Sequence, residues 1–129
     1  MDFDGLLAPV SADNPVGVNL RADDSPTSPY FSIKRNRAAA REHERSDAFE
    51  EESPRLDTWL EVARAGREIV AKKSKDLEVA AWLTEAMVRL EGFAGLRDSF
   101  RLTRQLIELF WDDLYPVPRE EDREYEDAE

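Results

Sequence analysis

The stretch Ser74–Pro116, SKDLEVAAWLTEAMVRLEGFAGLRDSFRLTRQLIELFWDDLYP, decides the fold. Leu77, Ala80, Ala81, Leu83, Ala86, Met87 and Leu90 recur at helical spacing, and Val79 and Trp82 widen that face. A helix apolar nearly all round belongs in the middle of a domain. Its thin polar stripe is Glu78, Glu85 and Arg89, the last two spaced for a helix-surface pair. Ser74 is the expected N-cap. Gly92 and Gly95 then bracket a turn that lets a second helix fold back. In that helix Leu96, Phe100, Thr103, Ile107, Phe110 and Leu114 form the expected seam, with Leu102, Leu106 and Leu109 beside it. Pro116 stops it, because proline cannot continue a helix and restrains Tyr115 before it.

Working outward, Leu56, Trp59, Leu60, Ala63, Gly66, Ile69 and Val70 mark the inward face of a preceding helix, with Pro54 suited to its first turn. Asp57, Glu61, Glu68 and Lys72 are its outer residues, and Glu68 and Lys72 are spaced to pair. Gly66 inside the helix predicts a close helix crossing. KKSK at 72–75 reads as a separator. Before it, YFSIKRNRAAAREHERSDAF (residues 30–49) is helical in composition, with Tyr30, Ile33, Arg37 and Ala40 on one face. Lys34, Arg35, Arg37, Arg41 and Arg45 make it the clearly basic segment. A solvated face paired with nearby acids is the economical reading, and a docking strip for phosphate or an acidic partner the functional one.

Residues 2–29 hold four prolines, two glycines and many small polar residues, so an extended arm with turns is expected. Leu6, Leu7, Val10, Val16, Val18 and Leu20 would pin it to the helices. The chain therefore divides into an arm (1–29), a helical domain (30–116) and an acidic, disordered tail (117–129). The fold class is all-α, a compact bundle of about four main helices with the Pro/Gly-rich arm packed on it.

At 129 residues the chain is long enough for one cored domain. It has no cysteine, which removes disulfides and thiol chemistry. The single histidine, His43, lies among charged residues and is expected at the surface. Neither a histidine triad nor a multi-histidine metal site can be assembled. Glu108 and Asp112 share a helix face, but without Glu-x-x-His motifs they make no di-iron site. No catalytic residue, cofactor or metal is expected. The net charge of −11 argues against general affinity for nucleic acid. No secretory signal or membrane span is expected, and the chain reads as cytoplasmic. Asp112 and Asp113 oppose the helix dipole and call for an offsetting cation such as Arg97 or a residue of the basic helix.

LEGFAGLRDSF (90–100) followed by FWDDLYP (110–116) resembles the N-terminal domain of the ImpA/TssA family of type VI secretion components. SKDLEVAAWLTEAMVRLEG is similar to the same family's central run, and LLAPVSADNPVGVNLRADDSP to its arm, with Asn14, Pro15, Gly17, Leu20 and Arg21 in place. The resemblance implies a non-enzymatic, cytoplasmic interaction module that contributes to assembly of the baseplate and the tail tube and sheath. It implies baseplate, tube or sheath proteins as partners. Family members are typically longer, so the chain is either a truncated form or a short variant. Self-association is possible, and ring formation is expected to need C-terminal regions beyond these residues. Phe93, Arg97, Trp111, Asp112, Asp113 and Tyr115, at the ends of the hairpin, are the candidate partner-binding residues. The competing reading is a phosphate- or nucleic-acid-binding adaptor using the basic helix 34–45.

Overall fold

A computed structural model of the chain describes residues 1–48 and 56–118. Residues 49–55, with Pro54 and the whole charged break, and residues 119–129, most of the stretch read as an acidic tail, lie outside the described residues. Among the described residues there are four α-helices and one 3₁₀ turn: α1 (Phe3–Leu7), the turn Leu20–Ala22, α2 (Pro29–Asp47), α3 (Asp57–Lys72) and α4 (Leu77–Phe110). The fold is all-α. The four helices expected from the sequence are α2, α3 and the two halves of α4.

Helix α2 starts where Pro29 takes the first helical position and the Ser28 hydroxyl accepts from the Phe31 N–H. Its inward residues Ile33 and Ala40 are buried. Helix α3 buries Trp59, Val62, Ala63, Ile69 and Val70 and crosses the first half of α4 closely. A Cβ at Gly66 would sit 3.2 Å from that of Leu83, which accounts for the glycine. Leu60, placed inward by its spacing, is instead 55 % exposed, and Leu56 also faces out. The buried arc of α3 runs through Val62 rather than Leu60, two residue positions and about 200° further round the helix. Glu68 pairs with Arg64 at 3.4 Å rather than with Lys72.

Helix α4 breaks at Gly92, whose φ of 61° and ψ of −138° suit only glycine. The second half then folds back. Gly95 lies so close to the Met87 carbonyl that a Cβ there would collide with it. At the far end the hairpin is fastened by main-chain bonds, from the Tyr115 N–H to Lys75 O at 3.1 Å and from the Leu77 N–H to Tyr115 O at 2.8 Å. The cap of the first half is Asp76, not Ser74. The Asp76 carboxylate accepts from the Glu78 and Val79 N–H groups, while the buried Ser74 hydroxyl meets no partner among the described residues. A carboxylate also suits the positive helix end better than a hydroxyl. Ala81 is exposed rather than buried, and Leu77 and Leu90 are half-buried against the core.

The face of the second half is rotated from the expected seam. Gly95, Ser99, Leu102 and Leu106 are buried, whereas Phe100 is 62 % exposed. Leucine and phenylalanine cover most of this helix's circumference, so spacing alone does not select a face. The two small residues do, because they admit the closest backbone approach. The helix also ends at Phe110, before Leu114 and Pro116, in a turn where the Asp113 and Leu114 N–H groups both donate to Phe110 O.

The N-terminal residues carry more regular structure than an extended arm. Helix α1 packs against α3 and α4 and buries Leu6, and Val16 and Leu20 are buried further along.

Candidate functional site

The polar centre of the molecule is the segment Lys73–Leu77, which takes in most of the KKSK stretch (72–75) that reads as a separator. Residues 16–18 of the arm pair with it, Val18 N–H donating to Lys73 O at 3.0 Å and Lys75 N–H to Val16 O at 2.7 Å. Tyr115 pairs with it from the other side. Gly17 makes the approach possible. Its φ is +77°, and a Cβ there would lie 2.0 Å from Lys73 O. Asn14 closes the preceding turn, its side-chain amide donating to Gly17 O at 2.8 Å. The Asn-Pro-x-Gly pattern is thus a clip that holds arm to hairpin.

Four charged side chains meet at this clip. Asp76 has no solvent exposure, and Arg21 reaches it with a two-pronged contact, 2.7 and 3.3 Å, and continues to Glu78 at 3.1 Å. The Tyr30 hydroxyl donates to the same Glu78 oxygen at 2.7 Å, and the Arg21 guanidinium lies 4.7 Å from the Tyr30 ring centre. Burial opposes the charge on Arg21, but the Asp76 and Glu78 carboxylates outweigh it and raise its pKa. Burial likewise acts to raise Glu78, while the Tyr30 and Arg21 hydrogen bonds prevail and hold it below the usual carboxylate range. Lys75 is fully buried and donates to the carbonyls of Leu6 (2.8 Å) and Val70 (2.7 Å). Burial pushes its pKa down to about 8. Every one of these groups is consumed by holding two segments together, which is the work of a structural lock.

A second lock joins α2 to the hairpin. Arg89 donates to Glu44 at 2.9 and 3.0 Å and covers the Trp59 ring, and the Trp59 indole donates to the same carboxylate. The spacing had suggested a local Glu85–Arg89 pair. Glu85 is instead taken by Arg37 of α2 at 2.9 Å, because the neighbouring helix offers a cation in better reach. His43, expected at the open surface, is half-buried and bonded through Nδ1 to the Thr58 hydroxyl at 2.9 Å.

The candidate partner-binding residues do not form one cluster. Phe93 stands 90 % exposed at the Gly92 bend with Arg97 one turn further on. Trp111, Asp112, Asp113 and Tyr115 lie at the other end, about 27 Å away along eighteen helical residues. Arg97 pairs with Asp98 at 3.0 Å and does not offset Asp112 or Asp113. Those two acids sit in the turn beyond the end of α4, and so are not held within its last helical turn. Together with Trp111, Tyr115 and the arm residues Asp13 to Val16 they line an open groove of about 820 Å³. Trp111 is 70 % exposed at its edge.

In the basic patch Arg37 is committed to Glu85 and Arg45 to Glu42 at 2.6 Å. Lys34 lies 5.8 Å from the Tyr30 ring centre. Arg35 and Arg41 are exposed, and their positions on α2 place them on different sides of the helix. The five cations therefore do not make one continuous strip.

No helix among the described residues is long and apolar enough to cross a membrane. Among the same residues, no group of three or more His, Asp or Glu side chains is placed to hold a metal ion.

An all-α hairpin clipped by an N-terminal segment through a buried ionic lock defines a structural module. Residues 7–127 match the family described as ImpA, N-terminal, type VI secretion system, and the chain belongs to that family. It is 33 % identical over 117 residues to the type VI secretion system component TssA1 of Pseudomonas aeruginosa, covering 91 % of this chain and 32 % of that protein. The chain thus spans about a third of that relative's length. Its fold is similar to the N-terminal domain, including the conserved ImpA_N region, of the TssA component from Burkholderia cenocepacia. There the TM-score is 0.70 at 27 % identity, over 96 % of this chain and 43 % of that one.

Proposed function

We propose that this domain is a non-enzymatic protein-interaction module of a TssA-type component, contributing to assembly of the baseplate and the tail tube and sheath in the cytoplasm. The observation that carries the reading is the family match over residues 7–127, on a fold that leaves Trp111 exposed beside an acidic groove. Buried aromatic anchors dominate the energy of protein interfaces, so a solvent-facing tryptophan flanked by Asp112, Asp113 and Tyr115 is where a partner protein gains most. Phe93 and Arg97 form a second contact at the bend. The absence of an enzymatic role is supported by how the buried charges are used, since Arg21, Asp76, Glu78 and Lys75 are each engaged inside the fold. Baseplate, tube and sheath proteins are the partners this reading names. A phosphate or nucleic-acid ligand is disfavoured because Arg37 and Arg45 already hold carboxylates.

The test is capture of partners from source-cell lysate by the tagged chain, identified by mass spectrometry. A Trp111→Ala variant, shown by circular dichroism to be folded, serves as control. Enrichment of baseplate, tube or sheath proteins that the variant loses supports both function and site. Enrichment unchanged in the variant removes the Trp111 end as the site. A folded wild type that enriches no secretion protein overturns the reading.

A further inference from the structure

We propose that the outer face of the second half of α4 is a self-complementary contact onto which a second copy of this chain docks in antiparallel orientation. At about 100° per residue, Phe93, Arg97, Phe100, Arg104, Glu108 and Trp111 fall on one narrow stripe. That stripe lies opposite the buried row Gly95, Ser99, Leu102 and Leu106. Its aromatic residues are 90 %, 62 % and 70 % exposed for Phe93, Phe100 and Trp111. A single exposed aromatic needs no explanation, but three in line along one helix, with no other element over them, form an apolar strip.

The polar residues of the stripe identify the occupant. Arg97 and Arg104 occupy its first part, and Glu108 its last, with Asp112 and Asp113 just beyond. Among the described residues Arg97 and Arg104 pair only within their own helix, at 3.0 Å to Asp98 and 3.6 Å to Glu108, and in both pairs the arginine is mostly exposed, where such contacts are weak. A ligand of uniform charge meets the wrong sign at one end. A second copy turned end for end does not.

About a two-fold axis near Leu102, positions equally far before and after that residue meet. Phe93, nine before, meets Trp111, nine after. Phe100, two before, meets Arg104, two after, in a cation–π arrangement. Arg97, five before, meets the turn carrying Glu108, six after. A parallel in-register pairing would set arginine against arginine and glutamate against glutamate along the stripe. The contact is isologous, so each of these pairs occurs twice.

The strip is about 27 Å long and one helix wide, roughly 400 Å² per copy, about half of what a stable interface buries on each side. The net charge of −11 on each copy adds long-range repulsion. The contact is therefore weak between free domains, and becomes strong only where several copies are held together and the local concentration is high.

Sedimentation equilibrium of the chain from tens of micromolar to about 1 mM tests this, with Arg97→Glu, Glu108→Arg, the double variant Arg97→Glu/Glu108→Arg, and Arg64→Glu on α3 as a control. Circular dichroism verifies folding, which these exposed positions should not affect. The expected result is a concentration-dependent dimer, weakened about tenfold or more by either single reversal, restored to within about threefold by the double, and unchanged by the control. A strictly monomeric wild type at 1 mM overturns the proposal. So does a dimer indifferent to both reversals, or one that the double variant fails to restore, since either places the contact on another surface or in another register.

Discussion

The guanidinium of Arg21 holds the carboxylate of Asp76 at 2.7 Å, across 55 residues of chain, at a point where Asp76 has no exposure and also caps the longest helix. One contact therefore fixes the N-terminal segment, the α3–α4 connection and the start of the hairpin. Its removal should be felt in all three.

Arg21→Gln leaves the buried Asp76 charge without its cation. Breaking one side of a buried pair destabilises by about 3 kcal/mol, reduced here toward about 2 because Arg21 is a quarter exposed and the cap amides still serve Asp76. Urea unfolding monitored by tryptophan fluorescence should give that loss. The double variant Arg21→Gln/Asp76→Asn should be clearly less destabilised than the sum of the singles. Additive losses would mean the two residues act separately.

Glu44 and Glu78 both have pKa values held down in the folded protein. For Glu44 the Arg89 hydrogen bonds come first, and for Glu78 the Tyr30 and Arg21 bonds prevail over burial. A depressed folded-state carboxylate contributes stability that is present above its unfolded pKa and is lost as pH falls through the folded one. Unfolding free energy should therefore drop below about pH 4.5. Glu44→Gln should lower stability at pH 7 and flatten the acid limb. An unaltered limb would assign the pH dependence to other carboxylates.

Lys75 works in the other direction along the pH axis. Its pKa is about 8 when folded against 10.5 when free, so between these values the unfolded chain carries the extra proton. Stability from this group therefore rises as pH increases from about 8 to 10.5, by up to about 3 kcal/mol. Lys75→Met should abolish that rise. At pH 7 its effect is the difference between two opposed terms, the relief of a buried charge and the stranding of the Leu6 and Val70 carbonyls. Unfolding curves at pH 7, 8.5 and 10 separate the two. A slope shared by wild type and variant would show that Lys75 does not titrate in this window.

Much of this architecture is legible in the sequence, and the failures have a common cause. Helix identity, the Gly92 bend and the close crossing at Gly66 each depend on local spacing or on one residue's lack of a side chain, and these were readable. Partner choice was not. Glu85 and Arg89 sit at ideal spacing for each other, yet Arg37 and Glu44 of α2 take them, because helix proximity is a tertiary fact. KKSK at 72–75 reads as a separator, although Ser74, Lys75 and the adjoining Asp76 are fully buried, since Lys75 and Asp76 find partners 69 and 55 residues distant. The one available sign was Arg21, in the arm portion of the family resemblance. The sequence groups the candidate partner-binding residues at the hairpin's ends, and of them Trp111, Asp112, Asp113 and Tyr115 line one groove. It grouped Phe93 and Arg97 with them only because both ends of a hairpin look alike in one dimension.

Gly17→Ala should release the clip. The φ of +77° and a Cβ 2.0 Å from Lys73 O make any side chain collide with main chain that is itself bonded to Val18. A loss of about 3 kcal/mol or more is expected, with faster hydrogen exchange at the Val18 and Lys75 amides. Gly92→Ala, with positive φ but open space around it, should lose about 1–2 kcal/mol and leave those amides protected. Equal exchange in both variants would mean the arm is not held by this contact.

The orientation of the second half of α4 is testable by pairing a buried with an exposed residue from the two apolar rows. The regular spacing puts Phe100 in the seam and Leu102 beside it, whereas the structure buries Leu102 to 1 % exposure and leaves Phe100 at 62 %. Leu102→Ala removes side-chain volume packed in the hydrophobic core, and should destabilise by about 2–4 kcal/mol. Phe100→Ala, although it deletes the larger side chain, should change stability by no more than about 0.5 kcal/mol, because its ring is mostly in water. Thermal or urea unfolding of the two variants decides the matter. A Phe100 variant that loses more than the Leu102 variant would return the helix to the orientation its spacing suggests, and would also remove Phe100 from the outer stripe on which the antiparallel contact depends.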